Sequence, residues 1–352
     1  MAALVEIKDV DRRCYEDRLR GFLPDEIIDV HTHIWRNPRP DRHGGVADTR
    51  LVTWPARVAA ENPVEDLLET YRIMLPGKTV TPLIFNNPVM SDPLDELNQY
   101  VADCAARHGL PWLILATPEW SAGQLTAQLD RWDCLGVKVY LNYAPKTIPS
   151  DQVAIFDFLP PHQLEVLDSR GSIVMLHIPR PGRLKDPVNL EQMMTIERDY
   201  PNVKLIIAHV GRAYCEEDIG NAFDVLKGTE RMLFDFSANT NAVVFQRLLE
   251  CVGPQRVLFG TDMPILRMRM RRISENGRYV NLVPKGLYGD VSTDPNMREV
   301  EGPEADQLTF FLYEELDAFR RAAVAVGLSV EDVADVFCGN ARRVLTNAGW
   351  KR

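Results

Sequence analysis

The sequence predicts an α/β fold: a (β/α)8 TIM barrel in one domain over residues 1–352, with long lid insertions after strands one and eight, at about 36–61 and 263–303. Three observations predict it. Eight short β-rich runs alternate with amphipathic stretches of helical length. Several of those runs are near-continuous Val, Ile, Leu and Phe, as suits parallel strands covered on both faces. No GxGxxG or GxxxxGK[ST] follows an early strand, where the competing doubly wound sheet would place one.

Taken in order, the strands are Glu26–Val30, Thr79–Phe85, Trp112–Ala116, Gly136–Leu141, Ser172–His177, Val203–His209, Met232–Ser237 and Arg256–Gly260. Between them, "DPLDELNQYVADCAARHG" opens after Ser91 or Asp92 as N-cap and stops at Gly109. "DPVNLEQMMTIERDYP", "CEEDIGNAFDVLKG" and "NAVVFQRLLECVG" repeat the pattern, the last two ending on Gly228 and Gly253. The two insertions follow the C-terminal ends of strands, the face on which barrel active sites are built. The last stretch, "LSVEDVADVFCGNARRVLTNAGWKR", reads as two short helices packed under the barrel.

The bulk numbers exclude some classes. Hydrophobic content of 45% and charged content of 26% are ordinary for a globular protein. A formal net charge of −10 argues against nonspecific nucleic-acid binding, which needs basic surface. No run approaches the ~20 apolar residues of a membrane span, and the N-terminus lacks the apolar core of a secretion signal. Six scattered cysteines without a CxxC pair read as reduced thiols, so a cytoplasmic location is expected.

The polar residues at the strand ends carry the chemistry. In "DEIIDVHTHIW", His31 and His33 are two apart at the end of an apolar strand, so both imidazoles project to one face. Strand five ends in His177, strand six in His209 and strand eight in Asp262, while Lys138 interrupts the apolar run "GVKVYLN" of strand four. Four of the seven histidines thus meet at one barrel mouth, where unpartnered burial would be expensive. Three imidazoles and a carboxylate suit Zn²⁺ or a similar divalent ion with an open position. Such an ion lowers the pKa of water toward ~7, and a histidine that is not a ligand, or the carboxylate, can move the proton.

These motifs resemble a known family. The order HxH, His, His, Asp on strands one, five, six and eight is similar to the amidohydrolase superfamily. "DVHTHIW", "GVKVYLN", "LIIAHVG", "VLFGTDMP" and "GNARRVL" look like its amidohydrolase-related branch, the one named after aminocarboxymuconate semialdehyde decarboxylase. The resemblance spans about Ile27 to Leu345. It implies one metal ion, Zn²⁺ or alternatively Mn²⁺, held by His31, His33, His177 and Asp262, with His209 and Asp262 as the catalytic pair. A second ion would follow if Lys138 were carboxylated, as on strand four of two-metal members. The resemblance also implies a homodimer.

Lys138 has a plainer reading as a salt bridge or a contact to a substrate carboxylate. Arg212, three residues after His209, and the cluster Arg267, Arg269, Arg271 and Arg272 in "LRMRMRRISENGR" stand out on an acidic chain. Arg212, Arg267, Arg269 and Arg271 are therefore candidates, with Lys138, to hold an anionic small-molecule substrate. If RMRMR is extended, Arg267, Arg269 and Arg271 face one way and Met268 and Met270 the other. His43 and Trp54 lie in the first insertion, and Trp35 flanks it; Trp112 and Trp132 read as packing and His162 as surface.

The leading expectation is a metal-dependent hydrolase using a metal-activated water on a small carboxylate-bearing substrate. A nonoxidative decarboxylase of an aromatic or enoic acid would use the same residues. A non-catalytic ligand-binding barrel is the third reading, and a metal-free lactonase-type site the fourth.

Overall fold

The computed structural model of the chain describes residues 4–36, 57–88 and 92–351. The barrel strands are β1 (Glu26–His33), β2 (Thr79–Phe85), β3 (Ile114–Leu115), β4 (Gly136–Val139), β5 (Ile173–Leu176), β6 (Lys204–Ile207), β7 (Leu233–Asp235) and β8 (Val257–Leu258). β1 pairs in parallel with β2, and β3 to β8 form a continuous parallel sheet. Single bridges close the two seams, Ile84 to Trp112 and Thr32 to Met263. At the second seam Val30 N–H donates to Phe259 O (3.0 Å) and Asp262 N–H to His31 O (2.8 Å).

All eight expected strands form, but most inner ones are shorter than the apolar runs suggest. Pairing stops where the chain turns outward, and three of these exits hold left-handed residues: His209 (φ 57°), Ala238 (φ 51°) and Asp262 (φ 58°). β1 is longer than expected because its end bonds to both β2 and Met263.

Side-chain alternation builds two layers. Ile28, Val30, Leu83, Phe85, Leu113, Ile173, Met175, Ile206, Leu233 and Leu258 fill the barrel interior. Cys338, Ala341 and Leu345 of the C-terminal helices join this cluster from below, as expected. The intervening residues, such as Val137, Val139, Val174, Ile207 and Phe234, pack outward with the helices.

The helix after β2 runs Leu94–His108. Its N-cap is Pro93, not Asp92, because a proline at φ −61° and ψ 132° already supplies the extended entry; Ser91 lies outside the described residues. Gly109 ends it at φ 66°. Gly253 caps Ala242–Val252, whereas Ala222–Leu226 stops two residues short of Gly228.

Residues 37–56, most of the first insertion, lie outside the described residues, and His43 and Trp54 with them. The second insertion has a sheet of its own: β9 (Arg271–Glu275), β10 (Arg278–Pro284) and β11 (Met297–Val300). It docks on the β7 exit, where Arg272 donates to Ala238 O (2.6 Å) and lies over the Tyr214 ring. No helix among the described residues is long and apolar enough to cross a membrane.

Candidate metal centre at the barrel mouth

One register fault sets the site. β1 pairs Asp29 with Pro82 but Thr32 with Ile84, so β1 spends three residues where β2 spends two. This extra residue reverses the alternation beyond it. Before the fault Ile28 and Val30 face the interior; after it His33 is level with the inward Phe85, and the His31 ring centroid is 5.4 Å from that phenyl.

The other side chains arrive by simple alternation or by a turn. Lys138 and Tyr140 occupy the inner positions of β4 and its exit, between the outward Val137 and Val139. His177 continues the inner series Ile173, Met175, and Asp235 and Ser237 continue from Leu233. His209 follows the inward Ala208 and would face outward in an extended chain. Instead His209, Val210, Gly211 and Arg212 all take positive φ, a left-handed turn that swings the imidazole into the mouth. Such backbone costs about 1–2 kcal/mol per non-glycine residue, a strain met mostly at functional sites. Gly260 leaves room for the result, since a Cβ there would sit 2.9 Å from His31 Cβ.

The donors converge. His33 Nε2 lies 2.9 Å and His31 Nε2 3.5 Å from Asp262 Oδ1, while His209 Nε2 is 4.0 Å from Asp262 Oδ2. His31, His33 and Asp262 offer donor atoms within 4.8 Å of one another, as do His31, His209 and Asp235. His177 is in neither group. Its ring stands 5.3 Å from that of His209, and its Nδ1 is buried without a hydrogen-bond partner among the described residues.

Protonation states suit a cation. Burial, and then the nearby Lys138 ammonium, push His31 down to about 3. Burial also lowers His33 and takes His177 well below the usual imidazole range, with Arg212 adding to the latter. Burial alone would raise Asp262, but the His33 hydrogen bond and the imidazoles of His31 and His209 outweigh it and hold the carboxyl at about 2. Neutral imidazoles beside an ionised carboxylate are the donor set a divalent metal requires.

The supporting contacts fit as well. His31 Nδ1 is 3.0 Å from Asp235 Oδ2, and Tyr140 OH is 3.1 Å from His33 Nδ1. Each turns Nε2 toward Asp262, where an ion would be held. His209 Nδ1 is 3.0 Å from Ser237 O, which turns its Nε2 toward Asp262. From outside the strands Asp29 accepts from Tyr71 OH (2.6 Å), Thr261 Oγ1 (2.6 Å) and His31 N–H (3.0 Å), pinning the β1 backbone.

Sequence reasoning missed Asp235, Tyr140 and Ser237. The available signal was parity: in "LFDFS" Asp235 and Ser237 share the face of Leu233, so a carboxylate was bound for the interior and needed a partner there.

The amidohydrolase family model (Amidohydro_2) matches residues 28–273. The chain belongs to this family. No curated protein matches it. Among solved structures, this amidohydrolase is similar to a zinc-bound amidohydrolase from Burkholderia multivorans, with TM-score 0.55 and 13% identity over 91% of this chain and 99% of that one. It is also similar to 5-carboxyvanillate decarboxylase from Sphingomonas paucimobilis, with TM-score 0.54 and 13% identity over 92% and 99% of the chains. A manganese-bound dihydroxybenzoic acid decarboxylase from Polaromonas gives TM-score 0.52 and 14% identity over 92% and 97%. At these identities the likeness is one of fold.

The substrate-binding candidates divide. Lys138 is buried, with Nζ 3.3 Å from His31 Nε2 and within 5.3 Å of the Phe85 and Tyr140 ring centres. No carboxylate among the described residues pairs with it, so the expected internal salt bridge is absent. Arg212 stands at the β6 exit and donates to the carbonyls of Ile178, Pro179 and Arg180.

Three arginines of the amidohydrolase's second insertion are corrected. Arg269 is buried in an ion pair with Asp11 (2.7 Å), which neutralises its charge. Arg271 turns to Glu314 (3.6 Å) on the outer helix Phe311–Val326. Arg267 ends a 3-10 turn, Ile265–Arg267, and bonds Asn62 instead of facing the imidazoles. The segment is not extended there, and Met268 and Met270 are buried along with Arg267 and Arg269 rather than on an opposite face. Trp35 is buried and donates to Ala60 O; Trp112 and Trp132 pack together; His162 is half-buried with its Nε2 2.9 Å from Trp120 O, which corrects its surface reading.

Proposed function

We propose that the mouth holds one divalent ion, Zn²⁺ with Mn²⁺ as the alternative, through His31, His33, His177 and Asp262, and that the enzyme hydrolyses a small carboxylate-bearing substrate. The observation that carries the reading is the reach of Asp262, which touches His33 with one oxygen and approaches His209 Nε2 with the other. The bound ion would supply Lewis acidity, polarising a substrate oxygen and easing deprotonation of water.

The remaining work falls to the chain. Asp262, ionised, accepts the proton of the attacking water. His209, its Nδ1 against Ser237 O, carries a proton on Nε2 to the leaving group. Lys138 and Arg212, neither ion-paired among the described residues, bring positive charge to the substrate carboxylate.

Decarboxylation is the second reading, favoured by the decarboxylases among the fold neighbours. It needs a proton donor at carbon but no base for water. Reaction in ¹⁸O-labelled water with a panel of lactones, esters and aromatic acids separates the two. Hydrolysis puts labelled oxygen into the product; release of CO2, with hydrogen from solvent entering the product, would overturn the hydrolase reading.

A further inference from the structure

Arg267 is a buried cation at the start of the second insertion. It is 7% exposed, its Nη2 donates to Asn62 Oδ1, and its Nε is buried with no hydrogen-bond partner among the described residues. No carboxylate among the described residues lies within ion-pair distance of it, whereas Arg269 has Asp11. A guanidinium keeps its charge at any ordinary pH, so this one is buried with no carboxylate paired to it among the described residues, Asp66 acting on it only from beyond ion-pair distance.

Arg267 lines a cavity of about 240 Å³ together with Arg57, Arg269, Leu287, Tyr288 and Phe310. Arg57 is fixed there by donating to Tyr288 O (3.1 Å) and Asp290 O (2.9 Å). The Tyr288 hydroxyl accepts from Arg269 N–H (2.7 Å) and keeps its own hydrogen to donate. The one acidic side chain lining the cavity is Glu6, among the described residues. None of the imidazoles or carboxylates of the mouth lines it.

We propose that this cavity is a second binding site, for a compact oxyanion, a carboxylate or a phosphate, held by Arg57 and Arg267. Guanidinium forks match both anions bidentately, and the volume suits a molecule smaller than a typical drug-sized ligand. Arg267 holds Asn62, and Asn62 Nδ2 donates to His33 O (2.6 Å), the carbonyl of a proposed metal ligand.

The test titrates inorganic phosphate and, separately, acetate calorimetrically into the protein as purified, the chelator-stripped protein, Arg57→Ala and Arg267→Met. One site per chain is expected, at least tenfold weaker in either variant and unchanged by stripping. Binding of both anions assigns the site to oxyanions generally; binding of one narrows it to phosphates or to carboxylates. Arg57 is exposed and its described hydrogen bonds are to carbonyls, so Arg57→Ala keeps the test decisive should Arg267→Met fail to fold. No saturable binding of either anion, or binding indifferent to Arg57→Ala, overturns the proposal. Binding that instead vanishes on stripping puts the anion at the mouth and also overturns it.

Discussion

His31 Nδ1 and Asp235 Oδ2 stand 3.0 Å apart with both side chains fully buried. The carboxylate also accepts from the His209 backbone N–H (2.9 Å) and the Ser237 hydroxyl (2.5 Å). One acid therefore orients a proposed metal ligand, the proposed acid/base and the residue behind it. Burial alone would raise its pKa, but the His31 and His209 imidazoles and the hydrogen bonds hold it well below the usual range, so it stays ionised.

Asp235→Asn should weaken metal binding by about 10–100-fold, as loss of such supporting carboxylates does elsewhere. Competition with a chromogenic chelator measures this. Unchanged affinity would remove Asp235 from the site.

Protein purified without chelators should contain about one Zn or Mn per chain by elemental analysis. His31→Ala and His33→Ala should each lose the ion and the activity. Two ions per chain would point to a carboxylated Lys138 instead.

Gly260→Ala should strike the site through packing. Its Cβ would press on the Cβ atoms of His31 (2.9 Å) and Ser237 (3.3 Å), both held from behind by Asp235. Overpacking of this kind costs about 1–3 kcal/mol. Metal content should fall along with the melting temperature.

Asp11→Asn should leave metal content untouched yet destabilise the fold by about 3–5 kcal/mol, the cost of stranding a buried Arg269. Urea denaturation of the metal-loaded protein gives the number. An equal loss of activity per folded molecule would return Arg269 to the mouth.

Glu315 supplies a pH signature. It is fully buried on Phe311–Val326, and burial, with Asp29 and Asp235 adding negative charge, pushes its carboxyl well above the usual range. The folded state therefore holds this proton more tightly than the unfolded chain does. Stability is fully retained below the unfolded pKa and falls as pH rises above it, toward the folded pKa. Glu315→Gln should flatten that decline, seen in melting temperatures taken from pH 5 to 8.

Much of this architecture was legible in the chain. Inward alternation placed His177, and the spacing of His31 and His33 put them on a shared face. Other features depend on relations that no local pattern encodes. His209 reaches the mouth only because four residues turn left-handed, and Gly211 is the sole glycine among them. Arg269 looked free because its partner, Asp11, lies 258 residues away. Asp235 was passed over because a single acid in an apolar strand announces nothing until the imidazole it supports is folded against it.

The register fault in β1 has a consequence for how such a site can arise or be lost. Were β1 to continue past Asp29 in regular pairing, with nothing deleted, His31 would come level with the outward Ile84 and Thr32 with the inward Phe85. His31 and His33 would then face the helices, as Ile27 does. No ligand would have been substituted, and the barrel wall would still be hydrogen-bonded. Within this fold a slip of a single residue between two neighbouring strands is enough to turn a reactive centre into scaffold.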